Sequence, residues 1–301
     1  MDFEDYINTI EETLCALGNV QTKAINYGAQ IILTDAGKKV TLNIYNGKKG
    51  IRLVWGGGDS ELQKKAVALV HSSPGQTDSI LSDEPDFPGI WMGSDESGKG
   101  DYFGPLVVAS VCLDVQGGNS LRNVGVRDCK ALTDTKILEL AEVIQKTALA
   151  YSVLVMKPHA YNMRYEQVQK QGGNLNTLLA LGHIAALKQT WQKYPECNRA
   201  VVDQFANNEV IPDGVHAFAP EMKVFQRPRA EEDIAVAAAS VLARAAFLQT
   251  IQELGQEAGI GRIPKGGGEA ATNAARRLVQ KQGAGILGNY VKLHFANTQK
   301  L

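Results

Sequence analysis

The chain has 301 residues, with 31 lysines and arginines against 32 aspartates and glutamates and a formal net charge of −1. A hydrophobic share of 44% and a charged share of 21% exclude a disordered or fibrous chain, and the length allows about two domains. Near-neutral charge excludes a globally basic polyanion-binding protein, so any such partner has to be met by local clusters. Cys15, Cys112, Cys129 and Cys197 show neither metal-ligand spacing nor a disulfide framework, which points to reduced thiols in the cytoplasm. The opening MDFEDYINTIEETL is acidic and polar, unlike a signal peptide. No apolar run approaches the roughly 20 residues of a membrane span.

Residues 2–16 place acidic and apolar positions at helical spacing. Within 28–56, AQIILTD, KVTLNIYNG and KGIRLVW read as strands, separated by the turn signals DAGKK, YNGKKG and GGGDS. ELQKKAVALVHS returns to helix. These elements make a small α+β unit over residues 1–75. The Ser-, Pro-, Gly- and Asp-rich stretch SSPGQTDSILSDEPDFPG follows, and a linker is expected at 76–88. The second domain, 89–301, opens on the strand GIWMGSD. LVVASVCLDV and YSVLVMKP continue as strands, with the helix DTKILELAEVIQKTALA between them. NLNTLLALGHIAALKQTWQKY is a helix that Asn174 or Asn176 can cap. RAVVDQF is a short buried strand, and EDIAVAAASVLARAAFLQTIQEL a long helix. Strands first, then alternating helix and strand, predict an α/β fold: a mixed sheet with helices on its faces.

Acidic residues stand at unusual places in this second domain. Asp95 and Glu96 end one apolar strand, Asp203 ends another, Glu231 and Glu232 open an alanine-rich helix, and Asp128 follows a loop. Each alone reads most simply as a solvated cap. Together, carboxylates at buried strand ends are costly unless a cation neutralises them, and hard oxygen ligands suit Mg²⁺ or Mn²⁺. Neighbouring strand residues point to opposite faces, so Asp95 and Glu96 share a site only where the strand bends or ends. Gly98 and Gly100 allow such a bend and let backbone N–H groups approach a phosphate or ribose. The stretch lacks the GxxxxGK[ST] pattern of a phosphate-cradling loop.

The segment GSDESGKGDYFGPLVVASV resembles the first motif of the type 2 ribonucleases H, and within them of ribonuclease HIII. RDCKALTD is similar to the family's Asp-Ser-Lys-x-Leu-x-Asp block, with Cys129 where Ser is common. NLNTLLALGH, VVDQF, RAEEDIAVAAASVLAR and PKGGG…VKLHFANT follow in the family's order, so the resemblance covers about residues 90–301. It implies a ribonuclease H-like sheet, and for residues 1–75 a TATA-binding-protein-like substrate-binding domain. The family's catalytic, metal-binding carboxylates fall on Asp95, Glu96, Asp203 and Glu231. Two Mg²⁺ or Mn²⁺ ions would then serve hydrolysis of the RNA strand of an RNA/DNA hybrid, leaving 5′-phosphate and 3′-hydroxyl ends. The segment that reads the ribose 2′-hydroxyl falls on Gly98, Lys99 and Gly100, and Lys99 departs from the commoner Arg or Thr.

Other positions carry two readings each. Lys38, Lys39, Lys48, Lys49 and Arg52 lie in a stretch without an acid, beside Tyr45 and Asn46. This is a solvated turn or a backbone-tracking hairpin, and the resemblance favours substrate binding by Tyr45, Lys48 and Lys49. It also suggests that Asn174 and Asn176 touch the DNA strand and that Lys130 binds phosphate. His183 reads as half-buried. Arg227, Arg229 and Arg244 flank the helix of Glu231. Lys265, Lys292 and His294 either face the nucleic acid or belong to a docked terminal segment, where Leu293 and Phe295 fit best. Trp55, Trp91 and Trp191 read as packing residues. Aligning the fourth carboxylate requires a one-residue shortening, which selects Glu231 and leaves Glu232 as its rival. The competing functions are excision of single ribonucleotides from duplex DNA, non-catalytic hybrid binding, and a transposase-like nuclease; the last would not explain LNTLLALGH or KLHFANT. A monomer is expected, with no membrane partner.

Overall fold

The computed structural model describes residues 3–47, 50–56, 61–72, 89–203, 210–227 and 229–301. The chain divides into two compact units, Met1–Ser82 and Asp83–Leu301. The expected linker at 76–88, Lys48 and Lys49 lie outside the described residues.

In the first unit, α1 (Phe3–Cys15) precedes four strands, β1 (Asn19–Ile25), β2 (Gly28–Asp35), β3 (Lys38–Gly47) and β4 (Gly50–Gly56), and α2 (Glu61–Ser72) closes it. The strands form an antiparallel meander in the order β1-β2-β3-β4. Alternation decides which face is covered. Ile31 and Leu33 of β2 and Val40, Leu42 and Ile44 of β3 are buried with Ile10 and Leu14 of α1 and Leu62, Ala66 and Val70 of α2. Gln30, Thr41, Asn43 and Tyr45 take the opposite face, where Gln30 Nε2 donates to Asn43 Oδ1 at 2.5 Å across paired strands. The sequence reading missed β1 because NVQTKAI is a largely exposed edge strand with little apolar alternation.

The second unit holds β5 (Ile90–Ser97), β6 (Leu106–Asp114), α3 (Val115–Asn123), α4 (Asp134–Thr147), β7 (Ala150–Met156), α5 (Pro158–Lys170), α6 (Leu175–Lys193), β8 (Arg199–Asp203), α7 (Val210–His216), β9 (Lys223–Arg227), α8 (Ile234–Ala258) and α9 (Glu269–Gln282). Its sheet runs β7-β6-β5-β8-β9. β5, β6 and β7 pair antiparallel, whereas β8 joins β5 in parallel and β9 joins β8 in parallel. This is the mixed sheet that the sequence predicted. Alternation along β5 sorts the layers: Met92 packs in a core with Ala180 and Leu187 of α6 and Ile211 and Val215 of α7, while Gly93 meets α8. α3 escaped the sequence reading because VQGGNSLRN carries two glycines; Gly118 is small where Trp91 and Ile234 crowd it.

α8 is the core helix. It is long and apolar enough to cross a membrane, yet 78% of its most apolar 18-residue window is buried inside the fold. It starts at Ile234 on the cap Asp233, which accepts hydrogen bonds from Ala235 N and Val236 N and from Trp91 Nε1 at 3.0 Å. Glu231 and Glu232 therefore do not open the helix, as the sequence suggested; they occupy a separate 3₁₀ turn, Ala230–Glu232. A Cβ on Gly93 would fall 2.2 Å from Val236 N and 2.3 Å from the Ala235 carbonyl carbon, so the strand lets the helix start approach by having no side chain. Gly93→Ala is expected to lower the unfolding free energy by about 1–3 kcal/mol. An unchanged denaturation midpoint would contradict that close approach.

Candidate active site

β5 and β8 run parallel, with Met92, Gly93 and Ser94 opposite Ala200, Val201 and Val202. Asp95 and Asp203 are the next residues on the two strands, so their carboxylates stand side by side at the strands' carboxyl ends, where ligands bind in open α/β sheets. Asp203 Oδ1 accepts a hydrogen bond from Ala230 N at 3.3 Å, which ties the Glu231 turn to the end of β8. A cavity of about 570 Å³ opens there, lined among others by Asp95, Glu96, Gly98, Lys99, Lys130 and Asp203.

Asp95 and Glu96 turn to opposite faces of β5 and still both reach this cavity, because the strand ends one residue later. Asp95 faces α8 and bonds Ser240. Burial, and next the charge of Glu96, raise its carboxyl to about 8. Glu96 faces α6. Burial works to raise it as well, but the hydrogen bond and charge of His183, helped by Lys99, outweigh burial and hold it below the usual range.

His183 is fully buried, not half-buried as the sequence suggested. Ser94 Oγ donates to Ala109 O at 2.9 Å, so it accepts from His183 Nδ1 at 2.7 Å. That leaves Nε2 against Glu96 Oε2 at 3.2 Å, a contact that is attractive when a proton lies between them. The one local trace of this hydrogen-bonded series is a polar residue, Ser94, inside an apolar strand.

Among the described residues, no three His, Cys, Asp or Glu side chains converge closely enough to ligate one ion. Each carboxylate has its own partner in the fold: Asp95 accepts from the Glu96 amide, Glu96 meets His183, and Asp203 accepts from the Ala230 amide. The donor set is nonetheless all carboxylate oxygen, which fits a hard divalent cation. Asp95 is also a half-buried acid at the cavity wall for which the protein supplies hydrogen bonds but no salt bridge among the described residues. Lys130 is raised by Asp128 first, with Asp95 and Glu231 adding to the effect, which sets Glu231 in the same electrostatic neighbourhood although it does not line the cavity. Glu231 is half-buried, whereas Glu232 is exposed and pairs with Arg229 at 3.4 Å.

The ribonuclease HII family profile matches residues 92–298. The chain belongs to the ribonuclease HII family. Curated relatives of the HIII branch include ribonuclease HIII of Protochlamydia amoebophila, 38% identical over 204 residues, and that of Bacillus subtilis, 37% identical over 215 residues. These matches cover 68% and 69% of this chain, and the chain spans about two thirds of the relatives' own length, 65% and 66%. A crystal structure of Bst-RNase HIII in complex with Mn²⁺ superposes with a TM-score of 0.67 at 25% identity, covering 99% of this chain and 95% of that one.

The remaining family-matched positions take varied places. Gly98 has φ +90°, and a Cβ there would meet Pro105 O at 2.2 Å. Lys99 lies 3.7 Å from Glu96, and Gly100 is exposed. Lys130 is an exposed rim cation 3.8 Å from Asp128. Asn174 caps α6 in a capping box with Thr177, so its side-chain oxygen is committed to the helix, and Asn176 is exposed in the first turn. Tyr45 is half-buried on the sheet face of the first unit opposite α1 and α2. Arg244 lines the cavity and, with Lys265, pairs with Asp134. Lys292 is fully buried and cannot face a nucleic acid, and Leu293 is 42% exposed, against the expected docking.

In this ribonuclease HII family site, His183→Leu removes the partner that orients Glu96. It is expected to weaken Mn²⁺ binding by roughly 10- to 100-fold in calorimetry. Unchanged affinity in the folded variant would show that Glu96 needs no such support.

Proposed function

We propose that this chain is a metal-dependent endoribonuclease that hydrolyses the RNA strand of RNA/DNA hybrids and leaves 5′-phosphate and 3′-hydroxyl ends. The observation that carries the reading is the set of strand-end carboxylates: Asp95 and Asp203 end neighbouring parallel strands, Glu96 follows Asp95, and all three line one cavity. Asp95, Glu96, Asp203 and Glu231 would hold Mg²⁺ or Mn²⁺. The bound ions would supply the charge that activates a water and steadies the leaving 3′ oxygen. The protein's part is placement. β5 and β8 present their acids at one level, His183 aims Glu96, and the cap at Asp233 fixes the helix that carries Ser240. Backbone groups of Gly98, Lys99 and Gly100 read the ribose 2′-hydroxyl, the feature that separates RNA from DNA. Lys130 meets a phosphate, and Asn174 and Asn176 meet the DNA strand through the groups that capping leaves over. Tyr45, Lys48 and Lys49 of a substrate-binding domain at residues 1–75 add backbone contacts. On the same reading the protein works as a cytoplasmic monomer.

Asp203→Asn is expected to abolish cleavage of a labelled hybrid while leaving hybrid binding within a few-fold; near-normal turnover by the folded variant would remove Asp203 from the ligand set. The exposed Glu232, paired with Arg229, and the half-buried Glu231 separate further. Glu231→Gln should cost orders of magnitude in rate under saturating Mg²⁺ and Glu232→Gln little. The reverse ranking would move the fourth ligand to Glu232, and two mild effects would mean a core of three carboxylates.

A further inference from the structure

Lys292 has no place in the chemistry above, and its position is costly. Its side chain is fully buried, and a buried ammonium has to be compensated by hydrogen bonds or opposite charge. A methionine would fill similar volume without that cost. The lysine is instead spent on backbone. Its Nζ donates to Asp101 O and to Gly104 O, each at 2.8 Å, and lies 5.6 Å from the centre of the Tyr161 ring. Burial lowers its pKa to about 7 against the opposing pull of the Asp101 carboxylate, so the site exacts a cost that these contacts offset in part.

The two carbonyls belong to the loop between β5 and β6, whose first residues are Gly98, Lys99 and Gly100. The loop closes on itself at its base, where Gly98 packs against Pro105 O with no room for a Cβ. From outside, the C-terminal segment runs along it. Lys292 N donates to Tyr102 O at 2.8 Å, Gly104 N donates to Tyr290 O at 3.1 Å, and Phe103 bridges Val291. Gly266 holds the other side, accepting from Tyr102 N at 3.1 Å and donating to Asp101 Oδ1 at 2.6 Å. Within this frame the Gly104 carbonyl is buried and the Asp101 carbonyl part-buried, and both would lose their ammonium donor if Lys292 were apolar.

We infer that Lys292 is a positioning residue: its ammonium pins the loop at Asp101 and Gly104 and so fixes the backbone of Gly98–Lys99–Gly100 at the edge of the carboxylate cavity. The inference rests on the proposed reading of that cavity as a hybrid-cleaving site. On that reading groups outside the loop, among them Lys130, Asn174 and Asn176, meet the hybrid's strands, so a slackened loop is expected to cost turnover more than binding.

The test is Lys292→Met in the full chain, followed by hydrogen exchange and by cleavage kinetics on a labelled RNA/DNA hybrid. Exchange across residues 98–105 should accelerate while β6 stays protected. The kcat should fall by at least about tenfold with KM within a few-fold. Lys292→Ala should recover part of that kcat when propylammonium is added, which a general loss of packing would not allow. Asn297→Ala is the control: it removes a different anchor of the same segment, the bond to Gly267 O at 2.9 Å, and should leave both the loop's exchange and kcat close to the parent's. Unchanged exchange in 98–105 with an unchanged kcat in Lys292→Met overturns the inference, as does a missing amine rescue with an equal loss in Asn297→Ala. If the Met variant does not fold, the parent decides: the amides of Tyr102 and Gly104 must exchange as slowly as those of β5, and fast exchange there overturns it. A parent that cuts no hybrid would sink the proposed function instead, and the exchange result would still judge the latch.

Discussion

A carboxylate fixed at the buried end of a central strand has to be neutralised, and the second unit is arranged around that requirement. Asp95 cannot retreat, because Gly93 two residues earlier is pressed against the start of α8 and leaves β5 no freedom to shift. Among the described residues the sheet beneath it supplies apolar side chains and serines but no salt bridge to it. What surrounds it are further acids, Glu96 and Asp203, and polar groups that hold those acids still. Such a set stores electrostatic repulsion in a low-dielectric place, which a bound divalent cation would relieve.

The same constraint explains the division of labour between the two faces. On the α8 side, Ser240 and the neighbourhood of Lys130 attend Asp95; on the α6 side, a buried histidine attends Glu96. Adjacent strand residues are thereby held on opposite faces of β5 while both line the same cavity. Behind them, Asp233 joins β5 to α8 through Trp91 and through two helix-start amides, so the turn that carries Glu231 and the strand that carries Asp95 are referred to one anchor.

Much of this was legible in the chain itself. Apolar runs bounded by turn signals marked the buried strands of both units, and acids at the ends of GIWMGSD and RAVVD marked where the sheet terminates. Elements without a clear apolar pattern were harder: β1 is an exposed edge, α3 hides behind a glycine pair, and the 3₁₀ turn at Ala230–Glu232 looks like the first turn of the helix that follows. The support of the site was least legible. His183 and Ser94 are far apart in sequence and meet only because α6 lies across β5, and Lys292 reads as a surface cation until its two carbonyl partners are seen. Tertiary partnership of this kind has no local signature.

The central claim is that cleavage depends on cations gathered by the strand-end carboxylates. Its most direct measurement is hydrolysis of an RNA/DNA hybrid, labelled on the RNA strand, by the parent chain and by Asp95→Asn, with Mg²⁺, with Mn²⁺ and with chelator. The account predicts cutting of the RNA strand by the parent with either ion, none with chelator, and none by the folded Asp95→Asn protein. Cutting that survives the chelator, or a variant as active as the parent, would contradict it.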